Sequence, residues 1–127
     1  MLKEFTTNVD LDATATRTVP LFQVPLRGEK MTLEDANYTQ ELDADGDKTV
    51  KIRNRTKARD LTALLDVDAL AAQASAAFVL AAGVNKDVDP GDALELVYTV
   101  TTAGTVAPGE TAVYMRFRSG RGGIIGG

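Results

Sequence analysis

The stretch that most restricts how this chain can fold runs from residue 88 to residue 117, VDPGDALELVYTVTTAGTVAPGETAVYMRF. Leu94, Leu96, Tyr98 and Val100 share one parity, and Glu95, Thr99 and Thr101 share the other. A two-residue period places alternate side chains on opposite faces of a strand. Val113, Met115 and Phe117 alternate in the same way with Tyr114, Arg116 and Arg118. Pro90-Gly91 suits the centre of a type II turn, since Pro holds φ near −65° and Gly accepts positive φ. The segment 102–110 is rich in turn residues, so the two strands read as neighbours joined by a loop. Each has one apolar face, and the rest of the chain must supply a layer to cover it.

Upstream, residues 18–26 (TVPLFQVPL) are rich in strand-forming residues but contain Pro20 and Pro25. Proline donates no ladder hydrogen bond, so an edge or bent strand is expected. Met31 and Leu33 alternate inward over 30–35, and Tyr38, Gln40 and Leu42 begin another strand. The turn Asp43-Ala44-Asp45-Gly46-Asp47 leads to Val50 and Ile52, with Lys51, Arg53 and Arg55 facing out. Asp45-Gly46 is a hairpin signal, and a second hairpin is expected here. Residues 56–82 are rich in Leu and Ala and fit two patterns. The reading preferred is a strand over 60–66, a helical turn near 67–73 and a strand over 76–81. A single helix over 61–82 is the alternative.

These elements, about seven or eight short strands with regular turns, predict one all-β domain. The expected fold is a single antiparallel β-sandwich, jelly-roll-like or immunoglobulin-like, over residues 17–118. Residues 1–16 read either as an extended arm that orders against a partner or as a frayed terminus, and 119–127 as a flexible Gly-rich tail.

Composition removes many function classes. The 127 residues contain no Cys and no His. Disulfides, thiolate catalysis, zinc-thiolate sites and every Ser-His or Cys-His pair are thereby excluded. The net charge of −4 argues against nucleic-acid or anionic-membrane binding, which needs a basic footprint. No apolar run is long enough to span a bilayer, and residues 1–10 hold no signal core. Carboxylate pairs such as Glu95 with Glu110 have no apolar pocket to raise one pKa, so no catalytic residue and no cofactor are expected.

Three constellations are candidate sites. Asp43, Asp45 and Asp47 form a weak hard-cation candidate, but Gly46 stands fourth rather than sixth and Asn54 stands at the twelfth position, so the EF-hand spacing fails. A solvated acidic turn is the competing reading. Lys48, Lys51, Arg53, Arg55, Lys57 and Arg59 form a basic cluster in an acidic chain. Lys51, Arg53 and Arg55 could dock on an acidic partner; the alternative is the solvent face of a strand. No aromatic residue interleaves them, as single-strand binding would need. Phe5 in the arm and Ile124 and Ile125 in GRGGIIGG are candidate apolar contacts to a partner.

Several of these segments together resemble small virion proteins of tailed bacteriophages. The matching residues are Val19-Pro20-Leu21-Phe22, Asn37-Tyr38-Thr39, Ile52-Arg53-Asn54, Pro90-Gly91-Asp92-Ala93-Leu94 and Ala107-Pro108-Gly109. The basic segment 48–59 departs from that pattern, which has a Gly-rich loop there. The resemblance implies a capsid decoration (cement) protein, or a head-fibre type, that binds the major capsid protein outside the assembled head and stabilises it. A homotrimer located on the virion is expected, with a tail or fibre position as the near alternative. The segment PGDALELVYTVTTAGT is also similar to immunoglobulin-like repeats of bacterial surface proteins, which would imply an adhesion module.

Overall fold

The computed structural model describes residues 2–119. It is built from ten strands: β1 (Leu2–Leu11), β2 (Arg17–Gln23), β3 (Met31–Gln40), β4 (Asp47–Asn54), β5 (Arg59–Asp60), β6 (Leu65–Asp66), β7 (Ser75–Ala77), β8 (Asp87–Val88), β9 (Ala93–Thr102) and β10 (Gly109–Ser119). One sheet, A, runs β1-β10-β3-β7 with β8 also on β3. The other, B, runs β2-β9-β4-β5 with β6 also on β4. All pairings are antiparallel. The fold is therefore the all-β sandwich expected from the alternation, with apolar faces turned to each other.

The core follows the predicted parities. Leu94, Leu96, Tyr98, Val113, Met115, Phe117, Val50 and Ile52 are all buried. Phe5, Phe22 and Phe117 meet across the two sheets, with Phe5 and Phe22 ring centroids 4.0 Å apart. Tyr38 and Tyr98 bury their hydroxyls against acceptors: Tyr38 donates to Gln40 Oε1 at 3.0 Å, and Tyr98 to the Asp12 carbonyl at 2.5 Å. Burial raises the pKa of both phenols, that of Tyr98 to about 12; a partnered neutral hydroxyl is the form a core tolerates.

Strand partners differ from the sequence expectation. β9 and β10 lie in opposite sheets, and so do β3 and β4. Neither pair is a hairpin; their connections cross from one layer to the other. Alternation identifies a strand and its buried face, but it carries no information about which strand lies alongside. β3 joins two segments that the sequence suggested separately. Its inward parity changes from Met31 and Leu33 to Ala36, Tyr38 and Gln40 where the β10 register shifts between Arg116 and Phe117. A bulge inserts one residue and so exchanges faces. β2 is the edge strand that its prolines require, with a register shift between Pro20 and Phe22.

The expected boundary at residue 17 is not where the folded unit begins. All ten residues of β1 pair with β10, and Val9 and Leu11 are core residues. Between 59 and 88 the described residues form no α-helix. The expected strand over 60–66 is two short pairings with β4, the helical turn near 67–73 is irregular turns, and the strand over 76–81 is β7 plus a bridge from Leu80 to Thr62. Beyond Ser119 the expected tail lies outside the described residues.

Two turns depend on glycine. Gly91 has φ +90° after Pro90, and Asp92 N donates to Asp89 O at 3.0 Å, the type II geometry. Gly46 has φ +81°, and a Cβ there would sit 2.4 Å from the Thr102 carbonyl oxygen. Positive φ alone costs a non-glycine residue about 1–2 kcal/mol. Gly46→Ala is therefore expected to destabilise the protein by about 2 kcal/mol, read as a lower urea midpoint with unchanged slope.

Candidate functional site

Asp43, Asp45 and Asp47 do not converge. Asp45 turns toward the 102–108 loop, where its carboxylate accepts from Thr105 N at 2.9 Å, Thr105 Oγ1 at 3.0 Å and Val106 N at 2.8 Å. These hydrogen bonds, led by that from Val106, hold its carboxyl below the usual carboxylate range. Asp45 is thus a loop clamp. Asp47 instead approaches Asp66 and Asp68, whose carboxylate oxygens all lie within 4.8 Å of one another. Interaction with the Asp68 carboxylate raises the Asp66 carboxyl above the usual range, and Lys48 N donates to Asp68 Oδ1 at 2.8 Å. Asp45→Asn is expected to lower the melting temperature where Asp43→Asn leaves it unchanged. A chelator is expected to have no effect on either. A chelator-sensitive melt abolished by these substitutions would contradict this reading.

The basic cluster divides between the two faces of β4. Lys48 shares the inward parity of Val50 and Ile52 and is fully buried. Two residues before Val50 is an inward position. Its ammonium reaches the Asp45 carbonyl oxygen, with the Asp45 carboxylate 3.9 Å away. Lys51 and Arg53 face outward, and Arg55 follows the strand end, exposed. Lys51 pairs with Asp60 at 3.1 Å, and Arg53 lies opposite Glu95 on β9 and Asp60 on β5. Lys57 bonds Asp89 at 2.7 Å and Asp92 at 3.2 Å. Much of the charge is therefore balanced within the chain.

Asp92 anchors the Pro90-Gly91 turn and is buried. Its Oδ2 accepts from Asn54 Nδ2 and from Asp89 N, both at 2.9 Å. Burial pushes the carboxyl up, but these donors and Lys57 outweigh it and the net displacement is downward. Phe5 is half-buried and packs on Phe22 and Phe117, so it belongs to the sandwich rather than to an arm. Ile124 and Ile125 lie outside the described residues.

Sequence reasoning missed one surface. The outer face of sheet A carries a shallow trough of about 580 Å³ lined by Asn8, Asp10, Thr39, Glu41, Gln73 and Glu110, among others. Glu41 Oε1 accepts from Glu110 N at 3.2 Å. The residues come from three strands, the turn after β3 and the loop before β7, and only the pairing of β1 with β10 brings Asp10 beside Glu110. Glu4, Glu34 and Asp35 lie on the same sheet, against Arg116 and Arg118. The outer faces of the two sheets thus differ in charge: sheet A is acidic, whereas sheet B sets Lys51 and Arg53 against Asp60 and Glu95. Among the described residues no helix is long and apolar enough to cross a membrane.

No family model matches the sequence, and no curated protein matches it. Among solved structures, a chain of the cyanophage Pam1 capsid asymmetric unit superposes with a TM-score of 0.64 at 13% identity, covering 91% of this chain and 83% of that one. A chain of Bacillus endospore appendages, described as disulfide-linked pili, gives 0.44 at 13% identity, covering 93% and 88%. The extra small virus particle of the prawn Macrobrachium rosenbergii gives 0.30 at 13% identity, covering 93% and 80%. The Pam1 likeness is one of fold.

Proposed function

We propose that the protein is a structural, non-catalytic virion component: a decoration protein that binds the major capsid protein on the outside of a phage head and stabilises the shell. The observation that carries this reading is the strand wiring. Counting β5 with β6 and β7 with β8 leaves eight strands in two four-stranded layers, β1-β10-β3-β7 facing β2-β9-β4-β5. First and last strands pair, and the long strands hop between layers, as in a double Greek key jelly roll. The same sandwich superposes on a chain of the Pam1 capsid over nearly its whole length. The absence of His and Cys from the sequence supports a binding role over a catalytic one.

The difference in charge between the two outer faces gives such a module a defined orientation on its partner. The face bearing Lys51, Arg53 and Arg55 is assigned to the shell, and a closed trimer is the assembly proposed. Purified protein is expected to co-sediment with undecorated heads of the phage that encodes it. Arg53→Glu with Arg55→Glu is expected to weaken that binding at least tenfold in a chain that still folds, with a lower melting temperature because Arg53 stands opposite Glu95 and Asp60. Wild-type binding by the double variant would remove the assignment of this face, and no binding by the wild type would remove the function.

A further inference from the structure

The two sheets end in edges of unequal kind. β2 carries Pro20 and a register shift, and β5, β6, β7 and β8 are each only two or three residues long. Prolines, irregular register and short length all discourage the addition of a further strand. β1 has none of these. Its ten residues include no proline or glycine, and they pair with β10 in one unbroken register. The direction of its backbone groups is also fixed. Glu110 N donates to Glu41 Oε1, away from β1, and the Asp10 carbonyl opposite accepts from Arg17 at 2.9 Å rather than from β10. In an antiparallel ladder, residues alternate between turning both backbone groups toward the neighbouring strand and turning both away. Leu2, Glu4, Thr6 and Asn8 share the outward direction of Asp10 and are exposed. Among the described residues no strand pairs with β1 on that side. Phe5, in the inward row, is only half-buried.

We propose that β1 pairs antiparallel with β1 of a second copy, joining the two A sheets into one. The other described edges are blocked or short, so the mate this edge finds on another copy is its own counterpart, and like surfaces meet about a two-fold axis. The charges select the register. Outward residues must face outward residues. Centring the pair on Glu4 sets Glu4 against itself, and centring it on Thr7 sets Glu4 against Asp10; both place like charges opposite. Centring it on Thr6 calls on the Asp10 carbonyl that Arg17 occupies. Centring it on Phe5 has neither fault. Leu2 then stands opposite Asn8 and Glu4 opposite Thr6, each twice, and about eight backbone hydrogen bonds form. Phe5 stands opposite Phe5, an aromatic pair that covers the exposed part of each ring. This edge is short against the roughly 20–30 residues a side of a standard interface, so the dimer is expected to depend on concentration. The contact belongs to the free chain; it is separate from the threefold assembly and the virion assignment proposed above, and neither rests on the other.

The test is sedimentation equilibrium on the full chain, without heads, between micromolar and millimolar concentration. The mass is expected to rise from one chain to two. Thr6→Pro removes an outward N–H and leaves the ladder to β10 intact, as proline on the solvent side of an edge strand does. It is expected to weaken the dimer at least tenfold. The chain has no cysteine, so a second reading uses two single variants, Glu4→Cys and Thr6→Cys, mixed and oxidised. The two positions stand opposite in this register, at a Cα separation of about 5.5 Å that a disulfide spans. The mixed disulfide is expected to form faster than either disulfide between like chains. A chain that stays monomeric up to millimolar concentration would overturn the proposal. So would a dimer or trimer that Thr6→Pro leaves intact, or a mixture in which like and unlike disulfides form equally.

Discussion

A chain lacking residues 1–11 is expected to show no cooperative unfolding transition. β1 is paired with β10 along its full length and covers one side of that strand. Its removal takes Phe5, Val9 and Leu11 from the packed interior and leaves the eleven-residue β10 as an open edge. Burial of each such side chain contributes about 1.5–3 kcal/mol. The three together match much of the 5–15 kcal/mol that separates folded from unfolded domains. Thr7 adds a hydrogen bond to the Leu21 carbonyl, which ties β1 to the strand in the opposite sheet. Circular dichroism and calorimetry on the truncated chain measure this directly. A transition within a few degrees of the full chain would mean that residues 1–11 are dispensable to the fold, as an arm would be.

Asp92→Ala is expected to cost about 3 kcal/mol, the lower end of the range for breaking a buried ion pair. The carboxylate is the shared acceptor for the Asn54 amide, the Asp89 N–H and the Lys57 ammonium. Alanine would strand the buried Asn54 donor, and the Lys57 ammonium would keep only Asp89. Lys57 is about a third exposed, which places the effect at the low end. The pH dependence has a definite sign. The folded-state pKa of Asp92 is lowered, so its contribution is complete above the unfolded value near 4 and is lost as pH falls through the folded value. The wild type is therefore expected to lose stability on acidification below about pH 4, and Asp92→Ala to lose less. Urea midpoints at pH 7 and pH 3 separate the two. Equal pH dependence in both proteins would show that the turn does not use this carboxylate.

Much of the fold was legible because the alternation is local chemistry. The inward parities around Tyr98, Met115 and Ile52 follow from side-chain polarity alone, and so does the edge position of the proline-bearing β2. Three features were hidden for specific reasons. In β1 the inward row is Phe5, Thr7, Val9 and Leu11; a threonine in the middle weakens the pattern, yet its hydroxyl is satisfied by Leu21. Lys48 belongs to a run of basic residues but obeys the parity of Val50, and its buried ammonium is satisfied by the Asp45 carbonyl oxygen. Strand partners were not legible at all, because a strand with one buried face fits either sheet. The acidic trough is a product of those partners. Asp10 and Glu110 are a hundred positions apart in sequence and become neighbours only when β1 pairs with β10.

The central claim is that this sandwich is a decoration on a phage head, and cryo-electron microscopy of DNA-filled particles tests it most directly. Particles made with and without the gene for this chain are compared. The predicted result is extra density outside the shell, present only when the chain is made, in threefold clusters into which the β1-β10-β3-β7 and β2-β9-β4-β5 layers fit with Lys51, Arg53 and Arg55 toward the shell. Identical outer surfaces in the two reconstructions, with the chain absent from the purified particles, would contradict the account.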